Sequence, residues 1–154
     1  MKRSRVRLTV YGLLTAAVMC MIYFLSAQNG EESGNLSRWL METAFGRFLL
    51  QILPPLTGSG AALDIRKYAH LAEYALLALF AGMFYLELMC ERVPRWSLLL
   101  TAIHCFLYAC SDEYHQTFVA GRVGQFADVL VDMAGTVPGL LLVFLLARLR
   151  KDTT

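Results

Sequence analysis

The chain has 154 residues, 57% of them hydrophobic and 17% charged, with a formal net charge of +2. That balance lies outside the soluble norm and the apolar runs approach ~20 residues, so the sequence describes a membrane protein with room for one domain. Near-neutral charge argues against nucleic acid as a partner. Cys20, Cys90, Cys105 and Cys110 fall in or at the ends of apolar runs, without zinc-ligand spacing or disulfide-like loop placement, and read as small apolar fillers.

Basic residues open the chain in "MKRSRVR", and the first apolar run follows over residues 8–27. Its leader also looks like a secretory signal, but the run exceeds the ~7–15 apolar residues of such signals and is expected to stay as a span. Residues 36–53, "LSRWLMETAFGRFLLQIL", are numerous enough to cross, yet they include Arg38, Glu42, Arg47 and Gln51. Each charge near the bilayer centre would cost ~2.5–3.5 kcal/mol. The apolar residues there make no clean stripe at ~100° per residue. This segment is expected to lie as an interfacial helix at the outer surface, with Trp39 near the headgroups and "PPLTGSG" as the loop back.

Further spans follow at about 68–90, 96–115 and 128–147, the first two joined by the short 91–95 turn. Basic groups lie at both termini and in "ERVPR", and basic residues favour the cytoplasm, so the termini and that turn are expected inside. The expected fold is all-α, a polytopic bundle of four transmembrane helices forming a single domain over 1–154, with the interfacial helix in the first outer loop.

Counting at ~1.5 Å per residue brings the polar groups of the later spans to the extracytoplasmic side. Lys67, His70 and Tyr74 share a stripe with Glu73 beside it. His104, Tyr108, Ser111, Asp112 and His115 run down the third span, with Glu113 and Gln116 near its outer end. Asp128, Asp132, Gly135 and Gly139 line the fourth. Lipid penalises such seams, so they are expected to face one another around a small polar cavity near the outer leaflet. Lys67 and Arg122 can balance part of Glu73, Asp112, Glu113, Asp128 and Asp132, leaving an acidic remainder for a cation or for protonation. Arg122 is expected over Asp128. Lys67, Glu113 and Gln116 serve equally well as headgroup anchors. His104 suits either a buried hydrogen bond, to Thr101 or Tyr108, or a proton relay. "GTVPG", residues 135–139, is a small-residue packing motif with a kink expected at Pro138.

Taken together, "KYAHLAEY" (67–74), "SDEYHQTFVAGR" (111–122) and "DVLVDMAG" (128–135) resemble the VanZ-like family of small bacterial membrane proteins, and "FLSAQ" (24–28) resembles the Ser/Gln motif ending that family's first span. The resemblance covers roughly residues 24–145. It implies a multi-span protein of the bacterial cytoplasmic membrane whose namesake is tied to resistance to the lipoglycopeptide teicoplanin. It maps characteristic positions onto Lys67, His70, Glu73, Ser111, Asp112, Glu113, His115, Gln116, Arg122 and Asp128, with Ser26 and Gln28 from the first span. The chain departs at Ala120, where proline is frequent before the Gly-Arg pair, and at Asp132, where asparagine is common and the carboxylate adds charge.

Two classes of function fit these residues. The first is an enzyme acting from outside on a lipid headgroup or lipid-linked cell-wall precursor, with His70 or His115 as general acid or base, oriented by Glu73 or Asp112. Lys67 and Arg122 would hold a phosphate or carboxylate. Ser26, Gln28, Ser111, Glu113, Gln116, Asp128 and Asp132 would complete the substrate site. A divalent metal would take ligands from His70, Glu73, Asp112, His115 and Asp128, although His70/Glu73 and Asp112/His115 are only i, i+3 pairs. The second class is a non-enzymatic binder of an amphiphile's polar head, whether a membrane lipid or a lipoglycopeptide. Proton or solute transport is a third reading, opposed by four short spans without an inverted repeat.

Overall fold

The computed structural model describes residues 4–55, 60–90 and 94–152. Most of the 91–95 turn, the centre of the 54–60 loop, and Lys2 and Arg3 lie outside the described residues. Six helices follow one another: α1 Arg5–Ser26, α2 Gly30–Glu42, α3 Ala44–Ile52, α4 Ala61–Met89, α5 Arg95–Gln116 and α6 Phe126–Asp152. Among the described residues there is no strand.

Local chemistry sets the helix starts. The Ser4 side chain accepts from the Arg7 amide, and Asn29 with Glu32 forms a reciprocal capping box at α2. Thr43 closes α2 and opens α3: its hydroxyl donates to the Leu40 carbonyl at 2.6 Å and accepts from the Gly46 amide at 3.0 Å. The expected single interfacial helix is therefore two helices that meet at Thr43, the first beginning at Gly30. Cys90 ends α4 in a left-handed conformation at φ 52°.

Three helices, α1, α4 and α6 over Phe126–Arg150, are long and apolar enough to cross a membrane. Against the expected four spans, α5 matches α1 in length at 22 residues but falls short in apolarity, because its C-terminal half carries Ser111, Asp112, Glu113, His115 and Gln116, with His104 near its middle. Large apolar side chains such as Leu13, Phe24, Leu107 and Leu145 are more than half exposed on the outside of the bundle. Water would penalise that surface, whereas lipid matches it. The chain is a membrane protein built from helices.

α4 is the central element: α1, α5 and α6 all pack on it, and α6 most extensively. Val18, Ile22, Tyr74, Leu77, Ala78, Cys105, Ala109 and Val129 form one buried cluster, and Met83, Leu86, Val143 and Ala147 a second. Cys105 is fully buried in the first, and all four cysteines are free.

Two glycines let α6 approach α4. A Cβ on Gly135 would lie 2.6 Å from the Leu71 carbonyl oxygen, and one on Gly139 would overlap the Ala75 carbonyl oxygen and sit 2.9 Å from Ala78 Cβ. Here the small-residue motif separates backbones by less than a side chain. At the opposite end from the 111–122 block, fully buried Glu87 accepts through one oxygen from Arg7 Nε and Arg150 Nη1, each at 2.8 Å, and Arg150 also donates to the Tyr11 hydroxyl. α1, α4 and α6 are tied there by charge.

Gly139→Val should force α4 and α6 apart and lower stability by about 1–3 kcal/mol, the usual cost of overpacking. The measurement is the thermal midpoint of the detergent-solubilised protein. Gly34→Ala on α2, where a Cβ would meet only the end of Arg38 at 3.8 Å, should change stability by no more than about 0.5 kcal/mol.

Candidate functional site

α4 supplies Arg66, His70 and Glu73, whose spacing of four and three residues puts them on one helix face, with Lys67 alongside. α5 supplies Asp112, Glu113 and Gln116 from its last turn, and α6 supplies Asp128 and Asp132 from its first two. Asp132 is 1% exposed, and Glu73, Asp112, Glu113 and Gln116 are also buried. A cavity of about 500 Å³ separates these elements, and its wall includes Arg66, Lys67, His70, Glu113, Arg122 and Asp132.

Contacts divide the site into a wall that is paired except at the buried Arg66 Nε, and an unpaired floor. On the wall, Gln116 donates to Asp112 Oδ2 at 3.1 Å and to Glu113 Oε1 at 3.3 Å, while its carbonyl oxygen accepts from Arg122 Nη1 at 3.1 Å. Ser26 donates to the same Asp112 oxygen at 2.9 Å, and Glu113 Oε2 accepts the Gln125 amide at 2.9 Å. Lys67 Nζ pairs with Asp128 Oδ1 at 2.6 Å.

On the floor, His70 Nδ1 lies 3.4 Å from Asp132 Oδ1 and 3.9 Å from Glu73 Oε2. Neither approach makes a hydrogen bond: His70 Nδ1, Glu73 Oε2 and Asp132 Oδ2 are buried without a partner, and so is the Tyr74 hydroxyl. His70, Asp112 and Asp132 each present a ligand-type atom within 4.8 Å of the others.

Arg122 makes no ion pair with Asp128, over which it was expected; that carboxylate pairs with Lys67. The loop after α5 turns at Gly121, φ 75°, and docks on the start of α2, where the Gly30 amide donates to the Ala120 carbonyl at 3.0 Å. This carries Arg122 to the end of α1, where Nε donates to the Gln28 carbonyl and Nη2 to the Leu25 carbonyl, both at 3.1 Å. Those acceptors belong to the negative end of a helix, where a guanidinium is favoured. Three of its five N–H groups are thereby committed, leaving two for the cavity. Burial pulls the Arg122 pKa below its ordinary value and Arg66 adds to this, against Asp112, Glu113 and Glu73.

The α5 stripe does not enter the site as one unit. Asp112 and Gln116 turn inward, but Ser111 is exposed and lines a separate shallow groove with Met19, His104 and Tyr108. The His115 ring stacks on Tyr23 of α1 with centroids 4.8 Å apart, outside the group around His70. His104 meets Tyr85 of α4 at 3.1 Å rather than Thr101 or Tyr108, whose hydroxyl bonds to the Met19 carbonyl. Gln28 lends Arg122 its backbone carbonyl, and its side chain lines a small crevice.

Sequence reasoning missed Arg66, four residues before His70 and shared by the cavity and that crevice. It also gave the Tyr74 hydroxyl no role and passed over Glu87. The i, i+4 spacing of Arg66 to His70 was the available signal for the first. Chemically, the site pairs a cationic rim, able to hold an anionic oxygen, with an imidazole set among carboxylates beneath it.

No curated protein and no solved structure matches the chain. The VanZ/LLP1 family model matches residues 11–147, nearly the whole length and all of the elements that build the cavity. The chain belongs to the VanZ/LLP1 family.

Proposed function

We propose that this is a four-span protein of the bacterial cytoplasmic membrane whose extracytoplasmic cavity recognises or processes the polar head of a lipid or lipid-linked cell-envelope intermediate. α5 is the fourth span: at 22 residues it extends about 33 Å, and it packs on α4 and α6 with Ser97, Thr101, Asp112, Glu113 and Gln116 buried. α2 and α3 lie at the outer interface, with Leu36, Trp39, Phe45, Phe48 and Ile52 all exposed and available to lipid. The termini are cytoplasmic, since Arg5, Arg7, Arg148 and Arg150 sit at the end opposite the cavity.

The observation that carries the reading is the cavity's composition. Arg66, Lys67 and Arg122 share a wall with His70, Glu113, Asp128 and Asp132, and a phosphate-bearing head matches those three cations. An apolar crevice lined by Leu25, Leu36, Leu40 and Ile65 meets the cavity at Arg66, His70 and Arg122. An amphiphile would thus find its chain and its head accommodated side by side.

If the site is catalytic, His70 is the acid or base and Glu73 or Asp132 its orienting carboxylate. The second reading is a binder that sequesters or presents the head without altering it. Teicoplanin resistance would follow from either where the bound head belongs to a cell-wall precursor.

Topology is checked by single cysteines in a background where the four native cysteines are replaced. Phe118→Cys should react with a membrane-impermeant maleimide in intact cells and Arg148→Cys only after permeabilisation; the reverse pattern sinks the orientation. For function, purified protein is offered a short polyprenyl phosphate, with phosphatidylcholine as the comparison. It should prefer the phosphate monoester, and replacing Arg66 and Lys67 together by glutamine should weaken that binding at least tenfold. Mass spectrometry of the lipid then separates the two classes. Turnover that disappears in His70→Ala while binding persists identifies an enzyme, and binding without a product identifies a carrier. His115→Ala should leave both intact.

A further inference from the structure

We propose that His70, Asp112 and Asp132, joined by Glu73, hold one divalent transition-metal ion on the floor of the cavity. The inference depends on the position of the site and not on which headgroup occupies it. Three helices bring one nitrogen and two carboxylates to a point where their ligand atoms lie within 4.8 Å of one another. Ligands bound at ~2.0–2.2 Å stand ~3.0–4.4 Å apart around one ion, so the group needs only a small contraction. The 3.4 Å from His70 Nδ1 to Asp132 Oδ1 already matches the edge of a tetrahedron with bonds of ~2.1 Å.

A second observation points the same way. His70 Nδ1, Asp132 Oδ2 and Glu73 Oε2 are buried without a hydrogen-bond partner, and the Asp132 side chain is 99% withdrawn from the surface by its 1% exposure. Polar atoms are not normally left so, and carboxylates gathered around an imidazole repel one another unless a cation lies between them. Protonated His70 could give its one Nδ1–H to Asp132 or to Glu73, at 3.4 and 3.9 Å, and would leave the other without it.

The surroundings are those of a metal centre. Ser26 and Gln116 hold Asp112 from behind, and Arg122 holds Gln116, the kind of outer contacts that orient ligating carboxylates. Five carboxylates, Glu73, Asp112, Glu113, Asp128 and Asp132, stand against three fixed cations, Arg66, Lys67 and Arg122. With every carboxylate ionised and His70 neutral the difference is two negative charges, which one dication cancels. Imidazole with carboxylates selects Zn²⁺ or Mn²⁺ over Mg²⁺ or Ca²⁺. Because His70 and Asp132 line the cavity, an ion there would keep a coordination position facing the cationic rim, where it could take an oxygen of a bound anionic head.

The test uses full-length protein purified in detergent, stripped with EDTA and dialysed against Zn²⁺ or Mn²⁺ alone, with bound metal counted by mass spectrometry. One equivalent per chain is expected. Asp132→Asn and Asp112→Asn should each weaken binding at least tenfold, whereas His115→Ala should retain the full equivalent. Pulsed electron paramagnetic resonance of the Mn²⁺ form should show nitrogen coupling that vanishes in His70→Gln. Less than a tenth of an equivalent of either metal on folded wild-type protein overturns the proposal. So does binding unchanged in both aspartate variants. Should those variants misfold, the wild-type stoichiometry and its nitrogen coupling still decide. Metal bound without polyprenyl phosphate binding would remove the headgroup reading and leave this one. Lipid bound by metal-free, metal-refractory protein would do the opposite.

Discussion

The close crossing of α4 and α6 sets the geometry on which everything at the cavity end depends. With hydrogen in place of a side chain at Gly135 and Gly139, α6 lies against the backbone of Leu71 and Ala75. His70 immediately precedes Leu71, and Asp132 lies three residues before Gly135, on the two sides of the same contact. Their side chains therefore meet at 3.4 Å across an interface that is narrow for steric reasons alone. A wider crossing would leave two ionisable groups facing water or lipid separately. Packing that carries no chemistry thus decides which chemistry is available.

α5 and α1 are attached to that pair through polar contacts. Ordinarily the last carbonyls of a membrane helix end in the headgroup layer and bond to water. Here two acceptors at the end of α1 bond instead to Arg122, whose guanidinium also reaches Gln116 and through it Asp112. Ser26 adds a direct bond from α1 to Asp112. A carboxylate on α5 is thereby oriented by a residue from a loop and a hydroxyl from another helix. Such a network is rigid only if complete, so the loss of one member would be felt by all.

Much of this was legible in the sequence, and the misses have physical causes. Three spans could be located because each holds a run of about 20 apolar residues, but the start of α4 at Ala61 was hidden, since Asp64, Arg66 and Lys67 break the apolar pattern at its beginning. The absent stripe in residues 36–53 came from measuring one periodicity across a bend. After Thr43, Phe45, Phe48 and Ile52 share a face with spacing of three and four. The rotation of α5 was illegible for another reason. Its inward face runs through Ser97, Thr101, Cys105, Ala109 and Asp112, small and polar residues that no apolar pattern marks. Choosing the histidines as the guide put Ser111 and His115 in the site, when they lie about a quarter-turn away. Arg122 was misplaced because sequence proximity favoured Asp128, while the negative end of α1, 94 residues away, was the stronger claim.

The two ends of the bundle show why charge balance separates structure from function here. At the end opposite the cavity Glu87, completely buried, meets two arginines through a single oxygen. Its charge is more than neutralised, and the cluster joins α1, α4 and α6, although its second oxygen has no partner. Buried ion pairs of this kind cost desolvation and return geometry. At the cavity end the balance is reversed: carboxylates outnumber cations, orphaned atoms face one another, and a cavity gives access to them. Glu87 also keeps one buried oxygen, Oε2, without a partner, so an orphaned atom alone does not mark a site. What sets the cavity end apart is an excess of carboxylates beside an opening, and that combination is what a bound ion or headgroup requires.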